Sequence, residues 1–108
     1  MKVTIRGHVW QVHLLDEDTF IAKFDDSTAA LAAPKERMLF LQPDYLDLST
    51  IAHEVFHAYA SHSGTGSAML DADQVEELHA ELFGEYGVEM IALSRKIRKE
   101  MLKQSKCL

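Results

Sequence analysis

Two histidines and one glutamate near the middle of the chain have the types and the spacing of a metal site. They are His53, Glu54 and His57, within the segment STIAHEVFHAYASHSG, residues 49–64. On a helix, residues four apart lie on adjacent turns of one face, with about 5–6 Å between their β-carbons. Because two imidazoles at that separation can bind one zinc ion, the spacing indicates a metal-binding helix.

Glu54 follows the first histidine and is predicted to have a catalytic role. On a helix it projects about a quarter turn away from His53, where it can reach a water molecule on the metal without competing as a ligand. This position suits a general base. Such a base would take a proton from a water that the metal has acidified to a pKa of about 7.

Histidine pairs at helical spacing also occur as exposed surface residues or as hydrogen-bonded core residues. The neighbours of this pair favour the metal site, because Ile51, Ala52, Val55, Phe56 and Ala58 make the segment too apolar for a solvent-exposed helix. Three further histidines show no ligand spacing to the motif, namely His8, His13 and His62. They are interpreted as surface or turn residues.

A catalytic zinc site needs a third protein ligand, which we expect from the next helix. Asp71 can cap that helix, with Gln74 in a variant of the capping box, and the helical pattern continues to residue 102. One of its faces is a large apolar stripe, and the other consists of smaller side chains. The stripe contains Val75, Leu78, Leu82, Tyr86 and Leu93; the second face contains Glu77, Ala80, Gly84 and Val88.

Small residues allow helices to approach closely, so the motif helix is predicted to pack against the second face. In that arrangement Glu77 faces the two histidines. Two rivals for the third ligand stay open, namely His79 near the middle of the apolar stripe and Glu76 beside Glu77.

Short strands are predicted to precede the motif helix. Val3 and Ile5 alternate with polar residues, Gly7-His8 is typical of a turn, and residues 9–15 continue the pattern, which predicts an antiparallel hairpin.

The segments between this hairpin and the motif complete the predicted scaffold. Residues 19–24 (TFIAKF) are predicted to be a third strand, and residues 27–33 (STAALAA) a short helix ended by the proline that follows. Residues 37–42 (RMLFLQ) are predicted to form an exposed edge strand that can hold a substrate as an added strand. Asp44 is predicted to cap the motif helix, from about residue 45 to residue 62.

The segments TIAHEVFHA, residues 50–58, and EELHAELFG, residues 76–84, resemble the gluzincin metallopeptidases. Within that branch they are similar to the compact ImmA/IrrE-like type found in bacteria and their phages. The resemblance implies that His53, His57 and Glu77 bind Zn²⁺ and that Glu54 is the catalytic base. It also implies that Glu81 supports a ligand histidine.

The expected fold class is therefore α+β: a minimal zincin core with a small N-terminal antiparallel sheet, an HEXXH helix and a C-terminal ligand helix. Residues 1–108 are expected to form one domain. The expected function is a zinc metallopeptidase acting on a protein or peptide substrate. The alternative is a non-catalytic, metal-stabilised protein-binding module or phage accessory protein that acts through its basic C-terminal helix. The glutamate within the motif favours the peptidase.

Composition limits the remaining classes of function. Seventeen acidic and 11 basic residues give a net charge of −6, which argues against a nucleic-acid partner, and the basic run at residues 94–106 is interpreted as a solvated helix face. The single cysteine, Cys107, cannot form an internal disulfide, as expected of a reducing compartment. Without a membrane-length apolar stretch or a signal-peptide core, the protein is expected to be cytoplasmic and without a membrane partner.

Overall fold

The structure is a computed structural model that describes residues 1–24, 28–63 and 71–107. It is α+β, as predicted, with a four-stranded sheet followed by two long helices. The elements in chain order are β1 (Lys2–Ile5), β2 (His8–Leu14), α1 (Glu17–Phe24), β3 (Ala30–Ala33), β4 (Met38–Leu41), a 3-10 turn (Pro43–Tyr45), α2 (Leu48–Ser61) and α3 (Ala72–Ser105).

The predicted N-terminal hairpin is confirmed. β1 and β2 pair antiparallel, with Val3 opposite Trp10, and the inward-facing residues of both strands are buried. The turn is Arg6-Gly7, one position earlier than predicted. Both residues have positive φ, 50° and 81°, which is the backbone that a two-residue hairpin turn requires.

The sheet is mixed, not purely antiparallel. Its strand order is β1-β2-β4-β3, in which β4 runs parallel to β2 and antiparallel to β3. The strand predicted at residues 37–42 therefore exists, but it has a partner on each side. Its prediction as an exposed edge is wrong, and β3 is the edge strand on that side of the sheet.

Two predicted elements have the opposite type. Residues 19–24 belong to helix α1, because the Asp16 carboxylate accepts from the backbone N–H of Thr19 at 2.7 Å and caps it, and because Phe20 and Phe24 pack one turn apart. Of the helix predicted at residues 27–33, residue 27 lies outside the described residues and Ala30–Ala33 is strand β3. Pairing with β4 overrides the helical preference of alanine here.

Helix α2 starts later than predicted because a different aspartate caps it. Asp47 accepts hydrogen bonds from the hydroxyls of Ser49 and Thr50 and from the Thr50 backbone N–H, which lower its pKa to about 2. Asp44, the predicted cap, lies in the 3-10 turn. The capping box of α3 is confirmed, since Asp71 and Gln74 exchange both hydrogen bonds.

Helix α3 runs across α2 and reaches the sheet, so both long helices share one core with β1, β2 and β4. Ile51, Val55, Tyr59, Ile97 and Met101 are fully buried between them. No helix within the described residues has the length and apolar character needed to cross a bilayer.

Candidate metal site

His53 and His57 lie on an exposed face of α2, with their Nε2 atoms 3.1 Å apart. Zinc binds histidine nitrogens at about 2.0–2.1 Å, and the edge of a tetrahedron with that radius is about 3.3 Å. The two nitrogens are therefore already at nearly the separation that a shared tetrahedral ion requires. The sequence predicted this pairing, and the regular helix between Asp47 and Ser61 produces it.

Glu54 is buried beside the pair, on the side of α2 that faces the sheet. Its Oε1 lies 3.8 Å from His53 Nε2, and the backbone N–H of Ala32 on β3 lies close enough to its carboxylate to favour the charged form. Burial raises the pKa of Glu54, whereas the two histidines and the Ala32 N–H oppose that rise. The edge strand and the Glu54 carboxylate thus line the same hollow.

Within the described residues, His53, Glu54 and His57 form a group that can hold a metal ion. One ligand atom from each of them lies within 4.8 Å of the others. The two imidazole nitrogens suit zinc among other divalent metals, and the Glu54 carboxylate lies close enough to reach a water on an ion held by them. The chemistry of the residues present therefore fits the expected cofactor.

Two hollows flank this group and share Glu54. One, of about 470 Å³, extends from His53 towards Thr28 and Ala30. The other, of about 330 Å³, extends from His57 along β3 towards Pro34. Together they form an open groove between α2 and the edge strand, with Glu54 at its floor.

The predicted packing of α2 on the small-residue face of α3 is wrong. That face is exposed: Val88 is 89 % accessible, and a β-carbon at Gly84 would have no heavy atom within 4 Å. α2 packs instead against the opposite stripe, where the ring of Tyr59 lies 5.7 Å from that of Tyr86 and its hydroxyl donates to Glu89 at 2.6 Å. Packing against the stripe of larger side chains is more stable because it buries more apolar surface than packing against the small-residue face.

The three candidates for a third ligand are consequently separated on α3. Glu77 and Glu76 are exposed, and within the described residues none of the three candidates belongs to the group formed by His53, Glu54 and His57. His79 is on the α2 side, with its ring 5.2 Å from that of Phe56, the residue before His57. Glu81, implied to support a ligand histidine, lines a separate hollow with Arg6.

A second histidine cluster was missed by the sequence interpretation. Trp10 Nε1 donates to His62 Nε2 at 2.9 Å, and the His8 ring stacks on His62 with 4.0 Å between centroids. His62 is the C-cap of α2, so this cluster attaches the end of the site helix to β2. Local patterns carry no signal for it, because the contact joins residues 52 positions apart.

Comparison with protein-family models, with curated proteins and with solved structures gives no match. The case for a zincin-like site therefore rests on the motif and on the geometry of His53, Glu54 and His57.

Proposed function

We propose that the protein is a zinc-dependent metallopeptidase. The observation that carries the proposal is the 3.1 Å separation of the two Nε2 atoms on an exposed helix face, with a buried carboxylate beside them. A purely structural zinc site has no need of such a carboxylate, and it is generally closed by four protein ligands. The exposed histidines leave room for a substrate.

Glu54 supplies the base. A bound zinc ion would contribute an acidified water and a Lewis acid for the peptide carbonyl. Glu54 lies beside Ala32 of β3, and burial moves its pKa upwards, towards the range in which a carboxylate accepts a proton more readily. The same carboxylate can then deliver that proton to the leaving amine.

The groove along β3 supports an extended peptide as the substrate. β3 is paired with β4 on one side only, so its other edge can pair with an added strand. A peptide in that position passes over Glu54 and beside His53 and His57, because the two hollows beside β3 meet at Glu54. The proposal therefore assigns substrate binding to β3 and not to the RMLFLQ strand.

The third zinc ligand comes from the first turns of α3, and the candidates require different packings. His79 already lies on the side that contacts α2. Glu77, the ligand implied by the gluzincin resemblance, reaches the histidines only if the N-terminal turns of α3 rotate. The contact with Phe56 favours His79, whose ring would also have to move towards the two histidines to bind the same ion.

The proposal is tested with Glu54→Gln. The amide has the same shape, but it cannot take a proton. We expect zinc content and thermal stability to be retained while the cleavage rate of a denatured-protein substrate falls by about 10²–10⁴. Glu17→Gln, at the exposed start of α1, is the matched control. Wild-type protein that carries zinc but cleaves no member of a diverse peptide library would favour the binding module.

A further inference from the structure

The exposed face of α3 carries an apolar surface that nothing within the described residues covers. Val88 is 89 % accessible and lies on one side of a groove of about 530 Å³, and Phe83, 59 % accessible, lies about 140° around the helix on the other side. The groove continues to Ile91 and Arg95. The Phe83 ring lies over Gly87, with ring atoms 3.3–3.4 Å from where a β-carbon would be. The surface therefore has a defined shape, with a ridge at Phe83 and a flat seam beside it.

The residues of the seam share one side of the helix. Gly84, Val88, Ile91 and Arg95 follow one another at intervals of four, three and four residues, with large apolar side chains at Val88 and Ile91. Gly84 and the nearby Ala92 lack bulky side chains, so a second helix can approach closely on both sides of Val88. At 1.5 Å per residue, the 34 residues of α3 give a helix about 50 Å long, enough for an extended contact.

Charge along this face indicates the occupant. Glu77 and Glu81 precede the apolar centre, and Arg95 and Lys99 follow it. A parallel copy of α3 would set like charges against each other. An antiparallel copy centred on Val88 sets Glu81 opposite Arg95, Glu77 opposite Lys99 and Gly84 opposite Ala92. The face is therefore complementary to itself under a two-fold axis.

We propose that the protein forms an antiparallel two-fold dimer through the exposed face of α3, with the axis at Val88. The interface lies on the side of α3 opposite α2, so dimer formation leaves the groove between α2 and β3 open. It does not depend on metal binding or on the proposed peptidase activity.

Sedimentation equilibrium over a concentration series tests the proposal, under reducing conditions because Cys107 is exposed. We expect a dimer for wild type and a dissociation constant raised on the order of a hundredfold by Val88→Asp, since the charge then occurs twice at the axis. Val9→Asp, at a valine 57 % accessible on β2, is the matched control and should leave the dimer intact. Circular dichroism checks that both variants keep their helix content.

Exchanging the charges at Glu81 and Arg95 tests whether the partner is a second copy of α3 and whether it runs antiparallel. Glu81→Lys and Arg95→Glu should each dissociate the dimer, because each creates two like-charge contacts. Mixing the two variants should restore it as a heterodimer, and so should combining both changes in one chain. A monomeric wild type, a Val88→Asp variant that stays dimeric, or a Val9→Asp variant that dissociates equally would overturn the proposal. Failure of the combined variant to dimerise would overturn the antiparallel arrangement.

Discussion

The Nε2 atoms of His53 and His57 lie 3.1 Å apart on α2, and the Glu54 carboxylate beside them lies next to β3. The helix alone places the two rings on one face. The setting of the carboxylate requires the sheet as well, because Ala32, which lines the same hollow as Glu54, is 22 positions earlier in the chain. The candidate site is thus a product of one local element and one long-range contact.

We expect the purified protein to carry about one zinc ion per chain, and we expect either His53→Ala or His57→Ala to lose it. Each imidazole supplies one of the ligands, and a single remaining histidine cannot hold the ion against solvent. Elemental analysis after dialysis measures the content. His13→Ala, which removes a histidine from β2, serves as the control and should retain the metal. Equal zinc in wild type and in the double variant His53→Ala/His57→Ala would refute the site.

Much of the local structure was predictable because its signals are short in sequence. The alternation of Val3 and Ile5 predicted the hairpin, and the Asp71/Gln74 pair predicted the capping box of α3. The spacing of the motif predicted the histidine pair. Each of these depends on residues within a few positions of one another. Helical or strand periodicity is sufficient to place them.

Three of the errors have long-range causes, whereas the strand predicted at residues 19–24 and the cap predicted for α2 were wrong despite local signals in Asp16 and Asp47. Ala30 and Ala32 lie in a strand because β4 pairs with them. The face of α3 that packs against α2 is the one that buries more apolar surface, not the one with the smaller side chains. The contact between Trp10 and His62 joins the hairpin to the end of α2. Contacts between residues far apart in the chain leave no periodic pattern in the sequence, so these three features could not be predicted from it.

Zinc affinity of single α3 variants identifies the third ligand. In the packing described here, we expect His79→Ala to release zinc in competition with a chelator, because His79 is on the side that contacts α2. Glu77→Ala and Glu76→Ala should retain most of it, since both side chains are exposed. The reverse result, with Glu77→Ala losing the metal and His79→Ala keeping it, would show that α3 turns when zinc binds and would support the gluzincin ligand set.

Pairing of the substrate with β3 predicts sensitivity to the peptide backbone. N-methylation of a substrate amide removes a donor that strand addition needs, and methylation of the next amide, which points away from the strand, does not. We therefore expect KM to depend on alternate methylation sites along a cleaved peptide, with a period of two residues. Steady-state kinetics on a methyl-scanned series measures this. Equal KM values across the series would exclude binding as an added strand.

The Trp10–His62 hydrogen bond makes stability depend on pH. Trp10 donates to His62 Nε2, so that nitrogen must carry its lone pair, and the His62 ring must be neutral. Burial lowers the pKa of His62, and His8, Arg37 and Arg6 lower it further. Because the folded pKa is below the unfolded value of about 6.5, the unfolded chain binds more protons in this range. The contribution is fully present above about pH 6.5 and is lost as the pH falls through the folded pKa.

Urea unfolding between about pH 7 and about pH 5 measures this loss, with fluorescence of Trp10, the sole tryptophan of the chain, as the signal. A chelator is included so that zinc at His53 and His57 does not contribute. We expect wild type to lose stability towards the acid end, with uptake of less than one proton on unfolding. His62→Gln offers an acceptor that does not titrate, so the dependence should flatten. His13→Gln, the matched control on β2, should retain the wild-type slope. A His62→Gln profile parallel to that of wild type would show that the acid sensitivity comes from other groups.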